Sequence, residues 1–443
     1  MQTVYDVEVL FTEMLEHFSN LIRINTTNPP GNEVEAVKYI ARLFDLEKIP
    51  YQILEPSPGR ASIIGRLKGD GSKKPLLLMS HLDVVGVETD KWQHPPFSGL
   101  VDDRFLWGRG TLDCKNTVVL WLMILFALKR SNFPLKRDLI FLGAADEETG
   151  GSQGARWIVQ NHFDLVDAEA ALNEGGGFAI EFAGKTFITY ETAEKGNIWL
   201  RITRQGKSGH ASVPTNNNPV TYIANLISRL QRQKQPFLVT NTVREMIVAL
   251  SKCQPFPANI LMRQILNPVL SDLVIKNGIK NETTANGIRA MVRNTLCPTI
   301  VSGGQKVNVI PSEVSTELDL RVLPGIDPEK VLSRIKESIG HENTVEITDF
   351  VHATESILDH PLAESIKKGV GLSNPETPVI PFMSPGSTDG GFFRSKGMVV
   401  YGFTPVLPVD DIALAHAHNE KISLETIKYS LKVGLDTVCD FSG

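Results

Sequence analysis

Residues 76–85 read LLLMSHLDVV, an apolar run that ends in a histidine and an aspartate. Two similar runs, each bounded by turn residues, cover residues 139–145 and 168–172, and a helical pattern covers 117–129 between the first two runs. Short buried strands that alternate with helices are typical of an α/β fold. We therefore predict a sheet with flanking helices on both faces, built around residues 76–85.

The pattern changes at residue 196, where strands and helices follow in the order βαββαβ, the ferredoxin-like arrangement. The predicted elements are a strand at 197–204, a helix at 219–232, strands at 299–309 and 313–322, a helix at 328–338 and a strand at 344–351. About sixty residues, 233–293, interrupt this order after the first helix. The α/β pattern then returns and ends in a helix near the C-terminus.

A chain of 443 residues exceeds the size at which one hydrophobic core stops growing, so two domains are expected. We assign residues 1–195 and 353–443 to one domain and 196–352 to an inserted domain, with the insertion at 233–293.

Charge and hydropathy exclude several classes of protein. The formal net charge is -5 and the sequence has no polybasic block, so we expect neither nucleic acid nor a membrane as a partner. The longest apolar run, 118–128, is about half the length of a bilayer span and predicts a buried helix. The N-terminal stretch MQTVYDVEVLFTEMLEHF carries acids early and does not resemble a secretory signal, and the four cysteines are scattered. A cytoplasmic protein is expected.

Acids and histidines follow several of the predicted strands. They are His81 and Asp83 in SHLDVV, Asp113 in GRGTLDCKN, Asp146, Glu147 and Glu148 in ADEETGG, Glu174 in LNEGGG, and His416 and His418 in LAHAHNE. One acid at a strand end is usually a helix cap or a solvated loop residue. Because functional groups gather at the carboxyl edge of an open α/β sheet, four such ends together predict a metal site.

The motifs HLDVV, GRGTLDCKN and DEETGG, in this order, resemble those of a family of zinc exopeptidases. Its members include aminoacylase, acetylornithine deacetylase, succinyl-diaminopimelate desuccinylase and carboxypeptidase G. The resemblance covers nearly the whole chain. It implies a mixed-sheet α/β catalytic domain with an inserted ferredoxin-like lid. It also implies an enzyme, a metal-dependent hydrolase that cleaves an amide or peptide bond next to a free carboxylate.

The resemblance also implies a set of metal ligands. His81 and Glu174 would hold one divalent ion, Glu148 and His416 the other, and Asp113 would bridge both. Zinc is the first choice for imidazole and carboxylate ligands, with cobalt and manganese as alternatives because divalent ions compete on availability. A hydroxide between the two ions would attack the carbonyl. The family pattern His-x-x-Asn/Asp-Glu favours His416 over His418.

Two acids beside these ligands have predicted roles without binding an ion. Asp83 is two residues from His81 on the same face of a strand, which suits a carboxylate that orients the imidazole. A turn acid is the alternative. Adjacent side chains diverge in an extended strand, so Glu147 would not share an ion with Glu148 and is predicted to act as general base and then general acid. The alternatives for Glu147 are a second ligand or a surface acid.

The segment GKSGHASVP resembles a family motif and implies that His210 stabilises the oxyanion in the transition state. In dimeric members this histidine enters the active site of the partner, so a homodimer through the lid is a further expectation. Without the resemblance, His210 would be a loop histidine.

Three further motifs are candidates for substrate binding. Arg321 carries the planar fork that suits a substrate carboxylate, with a structural ion pair to Asp319 as the alternative, and Asn308 is predicted on an adjacent strand. The loop SPGSTDGG resembles the family's glycine-rich loop, in which the backbone N–H groups of Gly386, Ser387 and Thr388 would bind an anion.

The expected substrate is a small molecule, an N-acyl amino acid or a short peptide. A deacylase, a carboxypeptidase and a dipeptidase share this chemistry, and a dipeptidase remains the closest alternative. A non-catalytic binding protein on the same scaffold is a more distant one, since every expected ligand is present.

Overall fold

The computed structural model describes residues 6–443. Residues 1–5, part of the stretch predicted not to be a secretory signal, lie outside the described residues. The chain forms two compact units. The first comprises residues 6–192, Ser356–Phe382 and Thr388–Gly443, and the second comprises Ala193–Glu355 and Met383–Ser387. Residues 383–387 were predicted in the first domain. They belong to the second unit, where the N–H of Lys195 donates to the carbonyl of Ser384 at 3.2 Å.

Fourteen elements lie between residues 7 and 194. The helices are α1 (Val7–Arg23), α2 (Glu33–Glu47), α3 (Lys115–Arg130), α4 (Ala155–Asn161) and α5 (Phe163–Val166). The strands are β1 (Tyr51–Ser57), β2 (Arg60–Leu67), β3 (Leu76–His81), β4 (Leu100–Val101), β5 (Phe105–Trp107), β6 (Leu139–Ala144), β7 (Ala170–Asn173), β8 (Ala179–Phe182) and β9 (Lys185–Glu194).

The middle of the chain has seven strands and six helices. The strands are β10 (Gly196–Gln205), β11 (Gly209–His210), β12 (Thr295–Gly303), β13 (Val309–Ile310), β14 (Glu313–Val322), β15 (Asn343–Val351) and β16 (Thr354–Glu355). The helices are α6 (Pro219–Gln231), α7 (Asn241–Ser251), α8 (Ala258–Arg263), α9 (Ser271–Gly278), α10 (Glu282–Val292) and α11 (Pro328–Ile339).

The last segment returns to the first unit. Its elements are α12 (Pro361–Ser373), β17 (Val379–Ser384), α13 (Gly390–Arg394), β18 (Val399–Gly402), β19 (Lys421–Ser423) and α14 (Leu424–Ser442).

The main sheet of the first unit is mixed, with the strand order β1-β2-β6-β3-β7-β18-β9. Strand β3 runs parallel to β6 and β7, and β7 runs parallel to β18. Strands β1 and β2 form an antiparallel edge on β6. The four parallel strands therefore end at one edge of the sheet, and their carboxyl ends carry the candidate site.

Helix α3 forms the centre of the larger core, as its apolar sequence predicted. Every residue from Lys115 to Leu128 is buried, and the indole N–H of Trp121 donates to the carbonyl of Met79 on β3 at 3.1 Å. None of the described helices has the combined length and apolar character needed to span a membrane.

The second unit contains an antiparallel sheet with the order β12-β14-β10-β15. Burial alternates along β14, and helices α6 and α11 contribute apolar residues to the core on its inner face. The strand predicted at 299–309 is wrong at both ends, because β12 begins at Thr295 and ends at Gly303. Gly303 and Gly304 both have positive φ, 152° and 76°, and such a backbone interrupts the strand before the short β13.

Candidate metal centre

The parallel strands bring acids and imidazoles to one edge of the main sheet. His81 is the last residue of β3, Glu174 follows β7 directly, and Glu148 lies in the turn after β6. Asp113 precedes α3, and His416 lies in the loop between β18 and β19. The sheet thus accounts for three of these five positions, and two loops supply the others.

These side chains form two groups that share one residue. The ligand atoms of the first group, His81, Asp113, Cys114 and Glu174, all lie within 4.8 Å of one another, and so do those of the second, Asp113, Glu148 and His416. The Nε2 atom of His81 is 2.9 Å from Oδ1 of Asp113 and 3.4 Å from Oε2 of Glu174. The Nε2 atom of His416 is 3.0 Å from Oδ2 of Asp113 and 3.3 Å from Oε1 of Glu148.

Asp113 therefore presents one carboxylate oxygen to each histidine. Burial opposes its charge, but hydrogen bonds from His416 and His81 hold the pKa of Asp113 far below its usual value. The neighbouring carboxylates of Asp113 and Glu148 in turn raise the pKa of His416 to about 10. Asp113 thus lies between two imidazoles, and each imidazole also faces a second carboxylate. This geometry suits a carboxylate that bridges two ions.

The donors fit a divalent cation. Imidazole nitrogen and carboxylate oxygen are the ligands that zinc and similar ions take in proteins. The Oε1 atom of Glu148 is buried and accepts no hydrogen bond from any described residue, although His416 lies nearby. Such an unsatisfied oxygen is costly unless a cation or another donor reaches it.

Glu147 lies beside the cluster but belongs to neither ligand group. The predicted extended strand at Glu147 and Glu148 is wrong. Residues Glu147–Thr149 form a 3-10 turn and not an extended strand, so no alternation of side chains separates Glu147 from Glu148. Burial, together with the Glu174, Asp389 and Glu148 carboxylates, raises the pKa of Glu147 well above its usual value. A bound cation would lower it again.

Asp83 holds the turn that carries both glutamates. Its Oδ1 atom accepts from the N–H of Glu147 and its Oδ2 atom from the N–H of Glu148, both at 3.1 Å. Oδ1 also lies 3.5 Å from Nδ1 of His81, while that nitrogen is 3.0 Å from the Asp83 carbonyl. Asp83, fully buried, thus contacts residues from both ligand groups.

Asn28 and Arg60, which sequence reasoning missed, complete this support. The Nδ2 atom of Asn28 donates to Oδ2 of Asp83 at 2.8 Å. Asp146, at the start of the turn, has a φ of 71°, an uncommon conformation for a residue other than glycine. Arg60 Nη2 donates to Oδ1 of Asp146 at 2.6 Å and to Glu33 at 2.9 Å, which stabilises this conformation. These partners are distant in sequence, so no local motif marks them.

Glu420 holds the loop that carries Asp113 in a similar way. Its Oε1 atom accepts from the N–H groups of Leu112 at 2.7 Å and Asp113 at 3.2 Å. Its Oε2 atom accepts from Gly110 at 3.1 Å and from Nη1 of Arg109 at 2.6 Å. The motif around His416 included Glu420, which was the available signal, but its role was not predicted.

His418 does not join the cluster. Its Nε2 atom lies 2.9 Å from Oε2 of Glu88, an exposed pair at the surface. His416 also has a positive φ of 63°, so its backbone adopts an uncommon conformation where its imidazole reaches Asp113. The geometry favours His416, the residue that the motif had favoured.

The second unit contains the predicted residues His210 and Asn308. His210 pairs with Val309 in the short ladder between β11 and β13, and the Asn308 carbonyl accepts from the N–H of Ala211 at 3.0 Å. The imidazole is exposed, with Nδ1 2.6 Å from the hydroxyl of Ser212. His210 therefore lies on an exposed short strand, whereas Asn308, predicted on a strand, lies in the exposed turn directly before β13.

Arg321 shows the ion pair that was its alternative role. Its Nε and Nη2 atoms donate to the two oxygens of Asp319 at 2.8 and 3.1 Å, and Nη1 lies 3.4 Å from the hydroxyl of Ser387. The prediction that Gly386 offers a free N–H is wrong, because this group donates to the Ser384 hydroxyl at 3.1 Å. Thr388 lies in the first unit, where its hydroxyl accepts from Asn173 at 3.0 Å.

A mixed α/β sheet that carries a buried and a half-exposed imidazole, with carboxylates, around a shared aspartate is typical of metal-dependent hydrolases. Sequence comparison narrows this class. The profile of peptidase family M20/M25/M40 matches residues 77–440. The human N-fatty-acyl-amino acid synthase/hydrolase PM20D1 is 30% identical over 418 residues, which cover 89% of this chain and 80% of that protein. The chain therefore belongs to peptidase family M20/M25/M40.

Solved structures show the same fold. The M20 family metallo-carboxypeptidase Sso-CP2 from Sulfolobus solfataricus superposes with a TM-score of 0.76 at 19% identity, covering 96% of this chain and 98% of that one. The di-peptidase Dug1p from Saccharomyces cerevisiae superposes with a TM-score of 0.72 at 17% identity, covering 98% and 97%. The predicted family and the mixed α/β fold are confirmed, and the chain is a metallopeptidase or amidohydrolase.

Proposed function

We propose that this chain hydrolyses the amide bond of an N-acyl amino acid or of a C-terminal peptide residue, next to the free carboxylate. The observation that carries the proposal is the Asp113 carboxylate, whose two oxygens face His81 and His416 at 2.9 and 3.0 Å. The relative named an N-fatty-acyl-amino acid synthase/hydrolase supports the acyl amino acid as the substrate.

We assign two divalent ions to the site, zinc in the first instance, with cobalt or manganese as alternatives. His81 and Glu174 would hold one ion, Glu148 and His416 the other, with Asp113 shared. Two ions held by these residues would lower the pKa of a bound water and polarise the carbonyl of the scissile bond.

Glu147 is the proposed proton carrier. It takes a proton from the attacking water and delivers it to the departing amine nitrogen. Its place beside the cluster and outside both ligand groups supports this role, because a general base must reach the reacting water without being held by an ion. Asp83 positions Glu147 through its backbone N–H.

The second unit is proposed to bind the substrate's charged end and the developing oxyanion. Arg321 would bind the carboxylate, with the Ser387 hydroxyl beside its Nη1 atom. Asp319 occupies Nε–H and one N–H of Nη2, so the end of the guanidinium, with Nη1 and the second N–H of Nη2, remains for a bidentate contact with the substrate carboxylate. His210 would donate to the oxyanion, with Asn308 beside it.

A homodimer in which His210 reaches the partner's site, and a cytoplasmic location, complete the proposal. The His210→Ala and Glu147→Gln proteins should each be inactive alone. If His210 acts in the active site of the other subunit, exchange of subunits gives mixed dimers in which one active site has an intact Glu147 and receives an intact His210. Mixing the two proteins should then restore activity. A monomer with full turnover would contradict the dimer.

A turnover screen tests the substrate class. Metal-loaded protein is assayed with N-acyl amino acids, their carboxyl amides and free dipeptides. Because a guanidinium left without its carboxylate loses a charged hydrogen bond, masking the carboxylate should lower kcat/KM by at least ~10²-fold. Arg321→Ala should remove most of this preference and leave metal content unchanged.

Arg201→Ala is the matched control. Arg201 lies on β10 and pairs with Glu317 at 2.9 Å, much as Arg321 pairs with Asp319. The control should keep the preference for the free acid. Equal turnover of acid and amide by the unaltered protein would contradict the carboxylate requirement, and faster turnover of free dipeptides than of acyl amino acids would favour a dipeptidase.

A further inference from the structure

A cavity of about 180 Å³ lies in the first unit, directly beside the candidate metal centre. Asp113 and Glu174 line one side of it. Most of the remaining side chains on its lining are apolar, namely those of Leu112, Phe178, Val406, Ile412 and Ala415. The cavity therefore adjoins two residues of the first ligand group, and it offers an apolar surface to the part of a substrate that binds there.

Three uncharged polar side chains also line the cavity, those of Asn116, Thr117 and Thr404. The hydroxyls of Thr117 and Thr404 hydrogen-bond to each other at 2.8 Å and are buried. Phe178 packs edge-to-face on Phe382 with ring centroids 5.0 Å apart, and its backbone pairs with Val406 in a parallel bridge. A ring contact and a backbone contact thus hold Phe178 in its place in the lining.

Charge decides which part of a substrate can enter. None of the described residues that line the cavity is a lysine, arginine or histidine, so nothing there pairs with a carboxylate. Its two acids, Asp113 and Glu174, lie 2.9 and 3.4 Å from His81 and belong to the candidate ligand set. A free amino group would find no uncommitted acid. The cavity therefore suits an uncharged apolar group.

We infer that this cavity binds the acyl side of the substrate, and that it selects acyl groups of up to about six carbons. The inference rests on the proposed function and adds to it a length limit and a preference for acylated substrates over free dipeptides. Size sets the limit, because an apolar cavity of about 150 Å³ holds one benzene molecule. The substituent that carries the carboxylate is then bound outside the cavity.

The first test is a chain-length series of one N-acyl amino acid, from acetyl to hexadecanoyl, with metal-loaded protein. Each buried methylene should raise kcat/KM by about fourfold up to about six carbons, from its transfer free energy. Longer chains should then lose at least ~10-fold. A continued rise to hexadecanoyl, or a flat profile from acetyl onward, would overturn the inference while the proposed hydrolysis stands.

Substitutions of Ile412 sharpen the test, because this side chain lines the cavity yet is 43% exposed and tolerates exchange. Ile412→Trp should shift the optimum to acetyl or propionyl, and Ile412→Ala should shift it to longer chains. Val409→Trp is the matched control, since Val409 is 47% exposed in the same loop and does not line the cavity. A shift in the control equal to that in Ile412→Trp would contradict the assignment.

Direct binding separates this inference from the proposed function. Calorimetry with hexanoate and with hexadecanoate, on metal-loaded protein, measures the affinity of the cavity for an acyl chain without turnover. Hexanoate should bind more tightly than hexadecanoate, and this preference should be lost in Ile412→Trp and kept in Val409→Trp. That result supports the cavity assignment even if no substrate is cleaved. Absence of cleavage would contradict only the proposed hydrolysis. Equal or tighter binding of hexadecanoate would contradict the cavity assignment alone.

Discussion

The metal cluster of the first unit and the substrate-side residues of the second unit are built in different ways. Around the cluster, Asp83 and Glu420 are fully buried and each accepts hydrogen bonds from the backbone of a loop that carries ligands. In the second unit, His210 is exposed and Arg321 is paired with its strand neighbour Asp319. Buried acceptors fix the positions of the ligands before substrate arrives, whereas the substrate-side residues depend on contacts that substrate can replace.

This difference predicts that substitutions around the cluster change metal content or kcat, whereas Arg321→Ala and His210→Ala leave metal content unchanged. The largest effect is expected at the proton carrier. Glu147→Gln keeps the shape of the turn and removes the basic oxygen, so kcat should fall by ~10²–10⁴-fold while both ions remain bound. Elemental analysis and steady-state kinetics on the same preparation measure both quantities.

Loss of metal together with activity in Glu147→Gln would contradict the role as proton carrier and would make Glu147 a ligand. Glu35→Gln, a substitution of an exposed acid on α2, is the control and should change neither quantity.

The next effect is expected at Glu420. Glu420→Gln replaces one acceptor oxygen by an N–H₂ group among N–H donors and leaves the buried Arg109 without its carboxylate. The loop of Asp113 should then lose its position, and metal affinity should fall by ~10–100-fold, as for other supporting residues of metal sites. Competition with a chromophoric chelator measures the affinity.

Glu88→Gln is the matched control for Glu420, because Glu88 is an exposed acid that pairs with His418. Its metal affinity should equal that of the unaltered protein. A large loss in this control would place His418, and not His416, in the metal site.

The structure also shows which features of the sequence were informative. Strands β3, β6 and β7 were predictable because buried parallel strands are continuous apolar runs. The acids that follow these strands were predictable as well, because they stand directly after the apolar runs in the sequence. Strands β1 and β2 were missed. The edge strand β1 is only partly buried and mixes polar with apolar residues, and β2, although mostly buried, has polar residues and a glycine among its apolar ones. Arg60 was missed because it reaches Asp146 across 86 positions of sequence.

The orientation of side chains was less predictable than their grouping. The fork of Arg321 and the N–H of Gly386 were both predicted to face substrate, yet each has a partner within the second unit. These partners, Asp319 and Ser384, lie two residues away, and the sequence does not show whether such a pair forms in the folded chain.

A further prediction concerns the pH dependence of metal binding. His416 has a pKa of about 10 while it pairs with Asp113 and Glu148, so it carries a proton at neutral pH in the metal-free protein. A metal ion binds only the neutral imidazole and must displace this proton. Apparent metal affinity should therefore rise with pH, by about tenfold per unit for each displaced proton, up to about pH 10.

Titrations with cobalt between pH 6 and pH 8 measure this slope, and calorimetry in buffers of different ionisation enthalpy counts the protons released. Arg321→Ala should show the same slope as the unaltered protein, because Arg321 is not a proposed ligand. An affinity that does not change with pH would contradict the pairing of His416 with the cluster.

The central claim is that Asp113 is shared between two ions, and the number and position of bound metals test it most directly. Crystals of the zinc-loaded protein, measured at wavelengths on either side of the zinc absorption edge, should show two anomalous peaks, one on each side of the Asp113 carboxylate. Their separation should be about 3.5–4 Å. The same measurement on Asp113→Ala should lose at least one peak. A single peak in the unaltered protein, or two peaks with Asp113 bound to neither, would contradict the account.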